Sequence, residues 1–177
     1  MYHSTDTGET WNRATLPTKQ PWEQQVSKQN LFTSFPPTQQ NLTGWVLLTS
    51  EPTAGLMGKT LYQSTDSGKS WQFLADVSLT IDGYVTGVTF RDTQNGWITA
   101  SQHGAVMLPL YRSKDGGNTW TLQTIDIPQN YKYGNVMPPK FDKTNLQNGT
   151  ISIEFVNDSK RNIVEYKSQD GGDTWKP

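Results

Sequence analysis

Four aspartates recur in the same local context and are the first residues to consider for chemistry. Each is the third residue of an eight-residue box, Ser-x-Asp-x-Gly-x-(Ser/Thr)-Trp, and the boxes span residues 4–11, 64–71, 113–120 and 168–175. Carboxylates could bind calcium or form a catalytic acid–base array, but the spacing lacks the alternating oxygen ligands of a calcium loop. Four copies of one catalytic acid would also be redundant. The pattern therefore predicts a structural role for Asp6, Asp66, Asp115 and Asp170.

The remaining box residues suit a tight hairpin turn. A short carboxylate can accept hydrogen bonds from the backbone N–H groups of its own turn. The box glycine suits a position with positive φ, which a side chain would penalise, and the tryptophan can pack over the hairpin. These roles are predicted for Gly8, Gly68, Gly117 and Gly172, and for Trp11, Trp71, Trp120 and Trp175.

Strands must position the boxes, because β-rich runs surround each one. Gly44, Gly96 and Gly149 each open a run of β-branched and aromatic residues, and similar runs precede it and lead into the next box. Alternation and composition predict strands and no convincing helix. Four short strands in a repeat of about 50 residues are typical of a β-propeller blade. We label the strands of a blade A to D, so that the box is the C–D hairpin.

The predicted fold class is all-β, a β-propeller of four-stranded antiparallel blades with about three blades plus a C–D hairpin in residues 1–177. The predicted units are a half blade at 1–16, blades at 30–75 and 84–127, and a blade lacking strand D at 135–177. Such a set does not close a ring. Two explanations are open: the chain is a fragment of a longer propeller, or two copies exchange strand D and form a homodimer with a six-bladed ring.

The box resembles the Asp box, or BNR repeat, of sialidases, sortilin-type receptors, xyloglucanases and a photosystem II assembly-factor family. Through its repeats the resemblance covers nearly the whole chain. It implies a propeller architecture but no single function, because these families do unrelated things on similar blades.

The enzyme families set specific requirements. The resemblance to sialidases implies three convergent arginines, a Tyr–Glu pair and an Asp, but only Arg161 of the four arginines is predicted on the face opposite the boxes. A xyloglucanase-like inverting pair needs two carboxylates roughly 6.5–9.5 Å apart, and nothing in the sequence pairs them. No catalytic residue is therefore assigned.

The B–C and D–A loops form the face opposite the boxes, and they contain the candidate binding residues. Trp22, Tyr131 and Tyr133 could stack on sugar rings or anchor a protein partner, or instead could seal one blade against the next. The polar candidates are Glu51, His103 and Arg161. A lone histidine such as His103 is more often an ordinary surface residue than a base.

Composition excludes several function classes. Fifteen basic and sixteen acidic residues give a net charge of −1, so no nucleic-acid partner is predicted. The absence of cysteine excludes disulfides and thiolate metal sites, and no metal or cofactor is predicted. No apolar run approaches the ~18 residues that span a bilayer, so no membrane insertion is predicted. Residues 1–6 do not show the pattern of a signal peptide.

These observations predict a non-catalytic binding or scaffold propeller, extracytoplasmic or secreted, that recognises a glycan or protein through its B–C and D–A loops. The alternative is a fragment of a glycan-cleaving enzyme, sialidase-like or xyloglucanase-like, whose catalytic groups lie mostly on absent blades.

Overall fold

A computed structural model describes residues 2–4, 6, 8–37, 42–53, 56–158 and 160–177 of the chain. Strands β1 (Tyr2–His3) and β2 (Asn12–Arg13) pair as an N-terminal hairpin around the first box. Residues 1, 5 and 7 of the predicted half blade lie outside the described residues.

Three further units follow the hairpin. Blade I is a four-stranded antiparallel sheet in chain order, formed by β3 (Leu31–Ser34), β4 (Gly44–Thr49), β5 (Lys59–Ser64) and β6 (Gln72–Asp76). Blade II has the same order, with β7 (Tyr84–Phe90), β8 (Gly96–Ser101), β9 (Leu110–Ser113) and β10 (Thr121–Leu122). The predicted all-β fold class and the propeller-type blades are confirmed.

Blade III is less regular. It consists of β11 (Tyr133–Val136), β12 (Lys140–Phe141), β13 (Gly149–Val156) and β14 (Arg161–Ser168). Strands β11 and β12 both pair with β13, and the prolines between them supply no N–H for the ladder. Beyond β14 the described chain adds only an isolated bridge between Lys167 and Lys176.

Two local features differ from the predicted pattern. In blade II, predicted over 84–127, strand D is regular only for the two residues of β10 and is followed by an isolated bridge between Met107 and Asp126. Pro109 interrupts the facing strand there because it has no N–H to donate. Two 3-10 helices, Pro21–Gln25 and Lys28–Asn30, occupy a stretch predicted to be loop. No α-helix occurs in the described part of the chain.

Apolar side chains fill three interfaces between these units. Blades I and II enclose one cluster, blades II and III enclose a second, and the segment from Ala14 to Val26 covers the other face of blade I. Trp45 and Trp97, which follow the opening glycines of β4 and β8, are fully buried in the first and second of these clusters. Aromatic burial therefore joins the blades.

Candidate functional site

The first candidate site is a pocket of about 370 Å³ beside blade I, and two of the predicted residues line it. Trp22 comes from the first 3-10 helix, and Glu51 follows β4. The half-buried indole rests over Gly58, where a Cβ atom would lie 2.8 Å from the ring. The complete lining is Trp22, Gln25, Val26, Asn30, Thr49, Ser50, Glu51 and Thr53. We refer to it below as the Trp22 pocket.

The polar groups of the Trp22 pocket include one hydrogen-bonded pair. The Asn30 Nδ2 donates to the Glu51 Oε1 at 2.5 Å, at an exposed position. Gln25 lines the same cavity as this pair and the indole. One aromatic face combined with amide and carboxylate groups suits a hydroxyl-rich ring, because sugar C–H faces stack on indoles and hydroxyls bond to the polar groups.

A buried carboxylate anchors the helix that carries Trp22. Glu23 is only 5% exposed, and its Oε2 accepts hydrogen bonds from the Lys19 amide at 2.6 Å, the Gln20 amide at 3.1 Å and the Tyr62 hydroxyl at 2.7 Å. Burial raises the pKa of Glu23, but the hydrogen bonds that the carboxylate accepts outweigh burial and bring the pKa below its ordinary value. The ionised carboxylate of Glu23 thus links the N-terminal segment to blade I through hydrogen bonds to both.

The Glu23–Tyr62 pair does not have the properties of a catalytic Tyr–Glu pair. The Tyr62 side chain is fully buried against the N-terminal segment. Burial raises the pKa of its hydroxyl, and the Glu23 carboxylate raises it further. A tyrosine nucleophile needs access and a lowered pKa, so this pair is structural.

The second group of predicted residues lies where blades II and III meet. The His103 and Tyr133 rings stack with their centroids 4.1 Å apart, and His103 is exposed. Tyr131 packs against Phe155 at 5.3 Å and belongs to the edge of the core between the two blades. Tyr131 therefore packs at the interface between blades II and III, which is the alternative role given above for the loop aromatics.

Arg161 lies at the start of β14 and forms an ion pair with Glu154 at 3.3 Å. The Asn135 Nδ2 donates to the other oxygen of Glu154 at 2.7 Å, and the Asn135 side-chain oxygen accepts from the Ser101 hydroxyl. The hydrogen bond from Asn135 has the largest effect and lowers the pKa of Glu154; burial raises the pKa, and Arg161 lowers it further, so that the pKa lies below its ordinary value. Arg161 does not line the Trp22 pocket.

The predicted residues therefore separate into distinct places. Trp22 and Glu51 share a pocket, His103 and Tyr133 share a stack, and the other two serve packing and an ion pair. Asn30, which completes the pocket, carries no sequence signal. Because Asn30 and Glu51 are 21 residues apart in the sequence, no local pattern predicts their contact.

Two other arginines hold blade III to blade II. Arg91 donates to the Gly171 carbonyl at 2.5 Å, and Arg112 donates to the Gly172 carbonyl at 3.1 Å and forms an ion pair with Asp173. Both guanidinium groups therefore bind the blade III box and do not form part of an arginine cluster for a substrate carboxylate. Among the described residues no group of three or more His, Asp or Glu side chains could hold a metal, and no described helix is long and apolar enough to cross a membrane.

The four boxes fold alike. In the third, the Ser113 hydroxyl donates to Asp115 Oδ1 at 2.8 Å and accepts from the Gly117 amide at 2.8 Å. The Thr119 amide donates to the same carboxylate oxygen at 2.9 Å and its hydroxyl to the second oxygen at 2.5 Å. The same bonds recur around Asp6, Asp66 and Asp170. Both oxygens of each box carboxylate therefore accept hydrogen bonds from residues of the same turn.

The repeat contains one more residue than the predicted box. A tyrosine stands two positions before the serine of every box, at Tyr2, Tyr62, Tyr111 and Tyr166. The last three are at most 8% exposed and face the preceding unit, whereas Tyr2 is 65% exposed. The signal was present in the alignment of the four boxes.

Solved structures of similar fold include two enzymes. They are the α-L-arabinanase of Penicillium chrysogenum complexed with arabinobiose and an α-L-arabinofuranosidase of Fusarium graminearum in complex with an iminosugar inhibitor, each with a TM-score of 0.52. Sequence identity is 15% and 14%, and the match covers 86% of this chain in both cases. It covers 49% and 48% of those chains, so this chain spans about half of their length. No protein-family model and no curated protein match the chain.

Proposed function

We propose that this chain is a non-catalytic, carbohydrate-binding part of a β-propeller that holds a saccharide in the Trp22 pocket. The observation that carries the proposal is the combination of one aromatic wall with the bonded Asn30–Glu51 pair in a single cavity. The indole supplies the stacking face, and the amide and carboxylate supply hydroxyl partners. The protein is proposed to act outside the cytoplasm.

The fold likeness supports a glycan as the ligand. The two solved structures named above are glycan-acting enzymes, and one of them holds arabinobiose. The narrower assignment to BNR or sialidase-like propellers rests on the sequence resemblance of the boxes. A short arabinose oligosaccharide is therefore the first probe to use.

A second candidate function is a segment of a glycan-cleaving enzyme. The two enzymes of similar fold favour it, whereas the buried Glu23–Tyr62 pair and the committed arginines favour the binding function. Incubation with arabinobiose, followed by chromatography of the sugars, separates the two. Release of arabinose would support the enzyme.

Titration calorimetry with arabinobiose, preceded by a glycan array to extend the choice of sugar, tests the binding function. Glu51→Gln should weaken binding about tenfold, equivalent to about 1.4 kcal/mol, because one charge-assisted hydrogen-bond acceptor is replaced. Glu165→Gln is the matched control, since Glu165 is exposed on blade III.

Equal binding by the Glu51→Gln variant and the parent chain would contradict the Trp22 pocket as the site. The absence of any sugar that binds would contradict the proposed function itself. Capture of a protein ligand that competes with no sugar would instead support a protein partner.

A further inference from the structure

The two interfaces between blades are built around an indole from the preceding blade. Trp45 of blade I stacks face to face on Phe90 of blade II, with centroids 3.7 Å apart and an interplanar angle of 5°. Its Nε1 donates to the carbonyl of Gly116, in the blade II box, at 2.9 Å. Both rings are at most 1% exposed.

The second interface also packs an indole from the preceding blade against a phenylalanine, but its rings are tilted by 37° and the Trp97 Nε1 donates to Gln123 Oε1 of its own blade. Trp97 of blade II lies on Phe141 of blade III with centroids 4.9 Å apart. The indole also covers Gly172 of the blade III box so closely that a Cβ there would lie 2.5 Å from the ring. In both interfaces, therefore, the tryptophan that follows an opening glycine packs against a phenylalanine of the next blade. We call the surface that receives this indole the slot.

Blade I has the receiving half of this arrangement. Phe35 contacts the box tryptophan Trp71 edge-on at 6.2 Å, as Phe90 contacts Trp120 at 5.9 Å. Ser67 has a φ of 62°, in the left-handed region like its counterpart Gly116 at 74°. The backbone of the blade I box therefore has the same turn as the box that accepts the Trp45 N–H.

The slot on blade I is open. Phe35 is 49% exposed, whereas its counterpart Phe90 is 1% exposed. A cavity of about 340 Å³ lies over it, lined by Tyr2, Ser4, Leu31, Thr33, Phe35, Ser67, Gly68 and Trp71. None of these residues lines the Trp22 pocket.

We infer that this slot binds the tryptophan of a Gly-Trp β-strand belonging to a further propeller blade. The occupant is inferred from the two filled interfaces of the same molecule, each of which packs the indole of a Gly-Trp strand against a phenylalanine of the next blade. A match that covers only 49% of a solved chain of similar fold is consistent with further blades beside this one.

The described strands of this chain do not supply the occupant. Trp45 and Trp97 are fully buried where they are. The third opening glycine, Gly149, is followed by Thr150, so blade III of a second copy would place a threonine in the slot. A different blade must supply the indole.

The probe is a peptide with the β8 sequence, Gly-Trp-Ile-Thr-Ala-Ser, measured by chemical-shift perturbation of the full chain. We expect saturable binding with shifts around Phe35 and Trp71. The same peptide with Thr in place of Trp should bind at least tenfold more weakly, because the indole supplies the stacking area.

Two variants define the site. Phe35→Ala removes the stacking partner and should weaken peptide binding at least tenfold, and its exposed position makes a folding defect unexpected. Thr33→Phe keeps Phe35 but fills the slot, and should weaken binding similarly. Leu79→Ala is the control, since Leu79 is 95% exposed in a loop outside the slot and should leave binding unchanged.

Equal binding of the Trp and Thr peptides would overturn the inference. Binding of the Trp peptide to the Phe35→Ala variant or to the Thr33→Phe variant with the affinity of the parent chain would overturn it as well. Self-association of the chain that Phe35→Ala abolishes would also overturn it, because a second copy would then be the occupant. None of these results depends on sugar binding at the Trp22 pocket.

Discussion

At the scale of single residues, the box aspartates are acceptors saturated by their own turns. Each carboxylate receives a serine hydroxyl, a backbone amide and a second hydroxyl, all within one hairpin. The hydroxyl and amide of Thr10 lower the pKa of Asp6 to about 2, and those of Ser70 lower the pKa of Asp66 to about 2. The carboxylates of Asp6 and Asp66 are therefore stabilised in their ionised form in the folded protein.

The pKa of Asp66 makes stability depend on acid. A pKa below the unfolded value, which is about 3.9, contributes stability that is complete above about pH 4 and is lost as the pH falls towards about 2. Asp66→Asn should flatten the fall of the urea midpoint between pH 4 and 2. Asp126→Asn, at an exposed position outside the boxes, is the control. An unchanged slope in Asp66→Asn would contradict this role.

At the scale of elements, alternation and punctuating glycines predict most strands because each has a local period. The 3-10 helix Pro21–Gln25 carries no such period, and it forms because Glu23 finds a partner 39 residues away in Tyr62. For the same reason the sequence placed Trp22 and Glu51 in candidate loops but not Asn30, whose role depends on a tertiary contact.

The Glu23–Tyr62 bond should dominate the attachment of this helix. Tyr62→Phe leaves a buried carboxylate without its hydroxyl partner and should lower the free energy of unfolding by about 1–3 kcal/mol. Urea denaturation measures the loss. Tyr111→Phe is the matched comparison, because the Tyr111 hydroxyl accepts from the uncharged backbone amide of Asp82, and the loss of that bond should cost less. Equal losses would show that the charge is unimportant.

At the scale of the whole molecule, the outer face of blade III differs from the faces that join blades. Positions filled by Trp45, Leu47 and Leu61 in blade I are filled in blade III by Thr150, Ser152 and Glu165. The N-terminal segment, with Ala14 only 2% exposed, lies on blade I of its own chain.

These features weigh against the homodimer with exchanged strands, which stays a prediction. It would press the polar face of blade III onto the apolar slot of blade I and detach a segment that is already packed. We expect light scattering to give one copy, 19.9 kDa, at all concentrations. A concentration-independent dimer that dissociates when residues 1–16 are deleted would support exchange instead.

One backbone pairing has a consequence for how the molecule opens. Asn135 in β11 pairs with Ser101 in β8, so blades II and III form one continuous hydrogen-bonded sheet. Among the described strands, no ladder connects blade I to that sheet. Cooperative units of local opening often coincide with supersecondary motifs such as a blade. Amide protons of blade I should therefore exchange with solvent through openings that leave the larger sheet intact, and such an opening should also disrupt the Trp22 pocket.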